Sequence, residues 1–310
     1  MKRVIAIVAL VASWAIVYWP GLAAAQDGGD DGGTDEVLPA DDGSVDETPA
    51  EEAPAEEAPM EEPMAGDAMG EAAMSSPRLV LPKDQIFVQA FLEINLSKGQ
   101  AFKPLALQPD VWYGVTDDIT VGLVHSPRAL SGFVAPAAPG GGLCLGSSEN
   151  CGNRYSGVGL LGRYHLLDDP VILAADGGLV FGDFDPFSLA IKLGVVGEKK
   201  FDKISVLFGA SLSLGLTNRD NGNKEVLSLP VGAMYEVMPK LSAGVQTGIR
   251  LPFSNAGDLY SIPLALAGRY IVTPKIIVDA SFSLPLLITG IPDSSGVAAR
   301  VLTLGGAYVF

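Results

Sequence analysis

The sequence predicts an all-β fold, a closed antiparallel transmembrane β-barrel of about 12 strands in up-and-down order, with a disordered N-terminal extension. Three observations predict it. Polar and apolar residues alternate with a period of two over residues 85–310. The gaps between the alternating runs are by turns short and longer. One face of the runs is almost free of charge and carries aromatic residues at one end.

The first 25 residues have the layout of a secretory signal peptide. Lys2 and Arg3 form a short positive start, residues 4–19 are apolar, and residues 23–25 are three alanines suited to cleavage. An uncleaved membrane anchor is the alternative interpretation. The apolar run is shorter than the roughly 20 residues that span a bilayer as a helix, so residues 1–25 are expected to be removed.

Residues 26–84 are expected to be a disordered, acidic, Pro/Ala-rich periplasmic linker. The chain has a formal net charge of −16, and residues 26–77 alone carry 17 acidic and no basic residues. Such a segment buries too little apolar surface to offset the entropy lost on ordering. A solvated spacer is the simpler interpretation, and a periplasmic contact of the acidic tail is the alternative.

The remaining composition excludes several classes of function. Residues 78–310 carry 18 basic and 19 acidic residues, so there is no basic footprint for nucleic acid. The chain has two Cys and two His, too few for a zinc or iron–sulfur site, and no cofactor is expected. Export would place Cys144 and Cys151 in an oxidising compartment, where a local disulfide closing a Gly/Ser-rich loop is expected.

The alternation itself defines the strands, because successive side chains of a strand point to opposite faces. In residues 85–97 the positions from Ile86 to Leu96 in steps of two are apolar, and most positions between them are polar. Twelve such runs are present: 85–97, 104–115, 119–126, 154–166, 171–182, 187–197, 204–216, 226–237, 241–251, 259–271, 276–286 and 298–310.

The gaps and the apolar face favour a membrane barrel over a soluble one. Short turns follow the even-numbered runs and mostly longer loops follow the odd-numbered ones, as expected for periplasmic turns and outer loops. Arg300 is the only charged residue expected on the apolar face. A soluble lipocalin-like barrel, the alternative, would turn its charged face to water. Aromatic residues of the apolar face gather where even-numbered runs reach their short turns, at Tyr113, Tyr164, Tyr235, Tyr270, Tyr308 and Phe310.

The end of the chain resembles the C-terminal signature of bacterial outer-membrane β-barrel proteins. The chain stops on Phe310, with Tyr308 two residues before it and Leu302 and Leu304 on the same face. Gly306 departs from the pattern, since that family often has a larger residue there. The resemblance implies the outer membrane of a Gram-negative bacterium, contact with its lipid, and recognition of the last strand by the barrel-assembly machinery. It covers residues 302–310 in motif and 85–310 in pattern.

The opposite face of the runs is expected to line the barrel interior. Arg269 and Asp279 flank a short turn at similar height, and Asp176 and Lys192 lie near the middle of neighbouring runs. These charges form either a selectivity lining or pairs that fill the interior. The predicted lining residues are Glu93, Asp110, Arg163, His165, Asp176, Lys192, Glu236, Arg250, Arg269 and Asp279.

Three functions remain open at this point. The leading hypothesis is a narrow passive channel for small solutes or ions, because a barrel of this size lies between filled and water-filled ones. The alternative is an occluded structural or surface-interaction barrel that presents loop 127–153. A barrel hydrolase is the least favoured, and no catalytic residue is predicted. Of the two histidines only His125 has a serine beside it, and Ser126 points to the opposite face of the strand.

Overall fold

The computed structural model describes residues 79–97, 101–126, 142–146, 151, 155–257, 259–291 and 296–310. The predicted signal peptide and residues 26–78 of the predicted linker lie outside the described residues, as does most of loop 127–153. No helix in the described ranges is long and apolar enough to cross a membrane.

Twelve strands close into an antiparallel barrel, which confirms the predicted fold class. Each strand pairs with its neighbours in the chain, and β1 pairs with both β2 and β14, so the sheet closes on itself. The barrel strands are β1 (Ile86–Asn95), β2 (Leu105–Thr116), β3 (Ile119–Val124), β6 (Val158–Leu167), β7 (Ile172–Phe184), β8 (Phe187–Phe201), β9 (Ile204–Gly215), β10 (Val226–Met238), β11 (Leu241–Pro252), β12 (Ser261–Thr273), β13 (Ile276–Thr289) and β14 (Val301–Val309).

Two short strands within the longest loop extend the barrel wall. These are β4 (Gly142–Leu145) and β5 (Tyr155–Ser156), which pair with each other. Residues 111–116 of β2 pair with β3, whereas residues 105–107 pair with β4. Both partners run antiparallel to β2, so β4 takes the place of β3 where β3 ends. The sequence predicted a loop at β4 because residues 139–142 are Pro-Gly-Gly-Gly, a poor strand former, whereas β5 lies within the predicted run 154–166.

The two ends of the barrel differ, as the gap lengths predict. The turns after β2, β6, β8, β10 and β12 are short, and their side of the barrel is called the short-turn end below. The opposite side, which carries the loops after β3, β9, β11 and β13, is called the long-loop end. Two further 3-10 turns, Arg219–Asn221 and Phe253–Asn255, lie in these longer loops.

Apolar side chains on the outer face are exposed, and aromatic ones form a ring at the short-turn end. The predicted ring lacked a member on the strand that starts at Phe187. That strand runs on to Phe201, whose ring is exposed and fills the gap. The same extension corrects the expectation that Arg300 is the only charge on this face. Lys199 also points outward, with its Nζ 5.2 Å from the centre of the Phe201 ring.

Candidate functional site in the barrel interior

The strand register aligns a continuous row of polar residues on the inner face, called the polar row below. Each member lies directly opposite the next on a neighbouring strand, from β3 through β6 to β13. Its members are Thr120, Arg163, Asp176, Gly194, Ser211, Ser228, Arg250, Ser261 and Thr289.

The polar row connects the two ends of the barrel. Thr120 is the second residue of β3 and follows a short turn, whereas Thr289 is the last residue of β13 and precedes a long loop. Strands in a closed barrel tilt, so a row of opposed residues winds along the barrel axis. The row carries no apolar side chain larger than the hydrogen of Gly194, and it therefore forms a continuous polar band on the inner wall, within which Thr120, Asp176 and Ser261 are buried.

A buried charge cluster occupies the part of the row nearest to β6 and β7. The Nζ of Lys192 donates a hydrogen bond of 2.9 Å to the Oδ2 of Asp176, and Arg163 Nη2 lies 3.9 Å from the same oxygen. Lys192 is 1% exposed and Asp176 is 4% exposed. A buried ion pair of this kind is costly to break, because either partner alone leaves an uncompensated charge.

A second ion pair joins Arg269 and Asp279, which lie directly opposite each other on β12 and β13. The Nε of Arg269 donates a hydrogen bond of 2.8 Å to Asp279 Oδ1. The Arg269 side chain is 47% exposed, unlike the buried cluster. Both neighbouring pairs that the sequence suggested are thus in contact, and Arg163 joins one of them.

Four other predicted lining residues lie apart from both ion pairs. Glu93 is buried on β1, and His165 Nε2 lies 3.2 Å from Asp168 Oδ1 beside the short turn after β6. Glu236 and Arg250 are both exposed on the inner face of β10 and β11. For neither of these two side chains do the described residues provide a hydrogen bond or ion pair.

Asp110 stabilises the end of β3 by hydrogen bonds from inside the barrel. Its Oδ1 accepts hydrogen bonds from the backbone N–H groups of His125 and Ser126, at 2.5 Å and 2.9 Å. On the other face the His125 ring bonds to the carbonyl oxygen of Pro109 and, at 2.5 Å, to the hydroxyl of Tyr155. Both ring nitrogens of His125 are therefore engaged in holding the strand end.

Residues 79–84, called the N-terminal strap below, lie at the short-turn end of the barrel, where Val80 and Leu81 are buried and residues 82–84 are exposed. Leu81 donates its backbone N–H to Thr120 Oγ1 at 2.7 Å, and Asp84 donates its own to the carbonyl oxygen of Gly114 at 2.8 Å. Arg163 Nη1 donates to the carbonyl oxygen of Leu79 at 3.2 Å. The composition of the preceding segment assigned these residues to the linker, so the structure differs here.

An apolar cluster explains why the strap is ordered. The side chain of Leu81 packs with Trp112, Val124 and Leu161, all of which are buried on the inner faces of β2, β3 and β6. Trp112 lies so close over Gly122 that a Cβ at that glycine would come within 2.4 Å of the ring. The strap thus covers one side of the lumen with apolar contacts that the acidic composition of residues 26–77 gave no reason to expect.

Other inner-face residues were missed because their strands extend beyond the predicted ends. The predicted run 187–197 stops before Glu198 and Lys200, which face inward on β8 and lie 3.9 Å apart.

A disulfide joins Cys144 and Cys151, and both cysteines are buried beside β4. No group of three His, Cys, Asp or Glu residues in the described ranges could hold a metal ion.

Comparison with known proteins gives likenesses of fold only. No family model matches the chain, and no curated protein matches it. One similar solved structure is a KdgM porin in complex with disordered oligogalacturonate, with 9% identity, a TM-score of 0.49, and coverage of 72% of this chain and 99% of that chain. Another is a NanC porin, with 11% identity, a TM-score of 0.48, and coverage of 72% and 98%.

A third similar structure is the outer membrane protein Omp33 of Acinetobacter baumannii, with 13% identity, a TM-score of 0.40, and coverage of 74% of this chain and 99% of that chain. At such identities and TM-scores these likenesses carry no conclusion about what this chain does. Its class is defined by its own strand pairings: a closed, antiparallel, twelve-stranded barrel with an apolar outer face.

Proposed function

We propose that this protein is an integral outer-membrane β-barrel of a Gram-negative bacterium that acts as a narrow passive channel for small solutes or ions. The exposed apolar outer face supports contact with lipid, because a closed barrel is one of the few folds that satisfies its backbone in a bilayer. The short-turn end then faces the periplasm, together with the N-terminal extension.

The observation that carries the channel proposal is the polar row. Its members line an inner path between the two ends of the barrel, across nine strands and without an apolar side chain. Hydroxyl and charged groups can replace part of the hydration of a passing polar solute, which an apolar lining cannot do.

The N-terminal strap favours a second candidate, an occluded structural or surface-interaction barrel that presents loop 127–153. Its contacts with Trp112, Val124 and Leu161 fill part of the lumen on the β2, β3 and β6 side. In that case the ion pairs stabilise a closed interior, and the outer loops carry the function.

Conductance of the purified mature chain in planar bilayers separates the two candidates. A channel gives stable unitary current steps, whereas an occluded barrel gives none. Heat-modifiable migration in a gel provides the control that the barrel is folded, because a folded barrel migrates differently before and after boiling. A folded preparation without current steps would overturn the channel proposal.

The last strand is proposed as the signal for the barrel-assembly machinery. Tyr308 and Phe310 both point outward, and their rings meet edge to face with centroids 4.6 Å apart. Deleting Phe310 is expected to reduce the amount of assembled barrel in the outer membrane, measured by heat-modifiable migration. Phe201→Ala is the matched control, since it removes another exposed aromatic ring of the same belt away from the C terminus.

A further inference from the structure

Among the basic residues of the barrel interior, Arg250 is the one for which the described ranges of the chain provide no partner. Lys192 and Arg163 face Asp176, Arg269 pairs with Asp279, and Lys200 lies near Glu198. The described residues offer the Arg250 side chain neither a hydrogen bond nor an ion pair. Arg250 is an exposed residue on the inner face of β11.

The immediate neighbours of Arg250 are hydroxyl groups. Ser228 lies directly opposite it on β10 and Ser261 directly opposite it on β12. Directly opposed residues of an antiparallel pair have Cβ atoms about 4.5–5.5 Å apart, within reach of an arginine side chain. Ser211 and Thr289 continue the same row on the next strands. Glu225, an acidic residue of the β9–β10 loop, pairs with Arg219 at 2.6 Å.

This arrangement has the chemistry of an oxoanion site. A guanidinium presents a rigid fork of donors that matches the two oxygens of a carboxylate or phosphate, and such charge-assisted pairs are the stronger hydrogen bonds. A hydroxyl on each side can donate to the same ligand. The other inner-face cations have carboxylate partners that an incoming anion has to displace, whereas no carboxylate of the described residues pairs with Arg250.

The position of Arg250 suits a solute that enters from outside. It is two residues before the end of β11, at the long-loop end. Glu236, an exposed acid of the inner face for which the described residues provide no partner, lies at the short-turn end of the neighbouring strand, directly opposite Ser242. The eight residue steps from Ser242 to Arg250 separate the two charges by about 26 Å along the barrel wall.

We propose that Arg250, flanked by Ser228 and Ser261, binds small oxoanion solutes, carboxylates or phosphates, in the outer part of the lumen. The physiological role of this site rests on the proposed channel function. The site adds to that function the class of solute. It makes the outer entrance selective for anions, while the rest of the polar row is internally neutralised.

The first test measures the current through the purified mature chain in planar bilayers with potassium acetate or potassium phosphate added on the outer side. Either oxoanion is expected to reduce the chloride current in a concentration-dependent way, and the relative strength of the two arms identifies the preferred class. Arg250→Gln is expected to raise the half-blocking concentration about tenfold, the loss expected for hydrogen bonds to a charged group. Arg250→Lys keeps the charge without the forked donors of the guanidinium. Its half-blocking concentration is expected to lie between those of the wild type and Arg250→Gln.

Arg300→Gln is the matched control. It removes one arginine at the same end of the barrel, from a residue just before β14 whose Nε bonds to the carbonyl oxygen of Val297. The block is expected to be unchanged in this variant. An equal block in wild type and in Arg250→Gln would overturn the site while leaving the channel standing.

A binding measurement keeps the two proposals distinguishable when no current is seen. Phosphate that binds only the folded barrel raises its unfolding temperature in detergent. A phosphate-dependent rise that disappears in Arg250→Gln but persists in Arg300→Gln supports the site, even if the absence of conductance refutes the channel. No phosphate-dependent rise in the wild type, together with no conductance, refutes both.

Discussion

Replacing Asp176 by Asn is expected to destabilise the barrel far more than the same change at Asp279. Asp176→Asn keeps the size of the side chain and removes its charge. Lys192, which is 1% exposed and bonded to Asp176 at 2.9 Å, then faces a neutral amide in place of the carboxylate. Asp279→Asn removes the same charge from a pair whose arginine side chain is 47% exposed, so water compensates for the loss.

The magnitudes follow from burial. Removing one partner of a buried ion pair costs about 3–5 kcal/mol, because the remaining charge is uncompensated. An exposed pair contributes about 0–1 kcal/mol, since it gains little over hydration. The free energy of unfolding is therefore expected to fall by roughly 3 kcal/mol more in Asp176→Asn than in Asp279→Asn.

Urea unfolding of the barrel in lipid vesicles measures this difference. Trp112 is the only tryptophan of residues 26–310, so its fluorescence reports on the inner face near the cluster, and circular dichroism reports on the whole barrel. Adding Lys192→Met to Asp176→Asn is expected to recover most of the lost free energy of unfolding, because it removes the buried charge of Lys192 and fills the space.

Two results would refute the reasoning. If Asp176→Asn and Asp279→Asn lower the free energy of unfolding equally, burial does not set the strength of these pairs. If the double variant is as unstable as Asp176→Asn alone, the loss does not come from the buried charge of Lys192.

Two further predictions concern the strap and an outer loop. Gly114→Ala is expected to expel the strap, because a Cβ there would lie 1.9 Å from the carbonyl oxygen of Pro82, and faster amide exchange of the strap would detect it. Gly306→Ala, with open space around its Cβ, is the control and should leave the exchange unchanged. The hydrogen bond from Arg219 lowers the pKa of Glu225, so the contribution of this pair is present above the ordinary carboxyl pKa and is lost as pH falls through the lowered pKa. An NMR titration should find the Glu225 pKa closer to its ordinary value in Arg219→Gln, and no change would contradict the pairing.

Local sequence pattern predicted the strands and the side of the wall on which most residues lie. Period-two alternation separates two faces, and the bilayer demands that one of them be apolar, so the assignment of Tyr270 to the outside and Arg269 to the inside needs no tertiary information. The contact between Arg269 and Asp279 was also predictable, because a short turn fixes the register of the strands that it joins.

Other features depend on tertiary contacts that the alternation pattern does not reveal. Phe201 and Lys199 lie beyond the predicted end of their strand, where pairing with β9 extends the ladder through residues that alternate poorly. The strap was assigned to a linker because 17 nearby carboxylates dominated the composition, whereas the short apolar stretch from Leu79 to Leu81 found a buried partner in Trp112.

The sequence by itself therefore determined the class of fold, the number of barrel strands, and which residues face lipid and which face the interior. Only the tertiary structure decided that Arg163 joins Asp176 and Lys192, and that Arg250 lies between two serines with no hydrogen bond or ion pair from the described part of the chain. The physical reason is that period-two alternation shows on which face of the sheet a residue lies, but not its position along the barrel axis. The position of a residue along the axis of a closed barrel depends on the summed registers of all strand pairs, including the closing pair of β1 and β14.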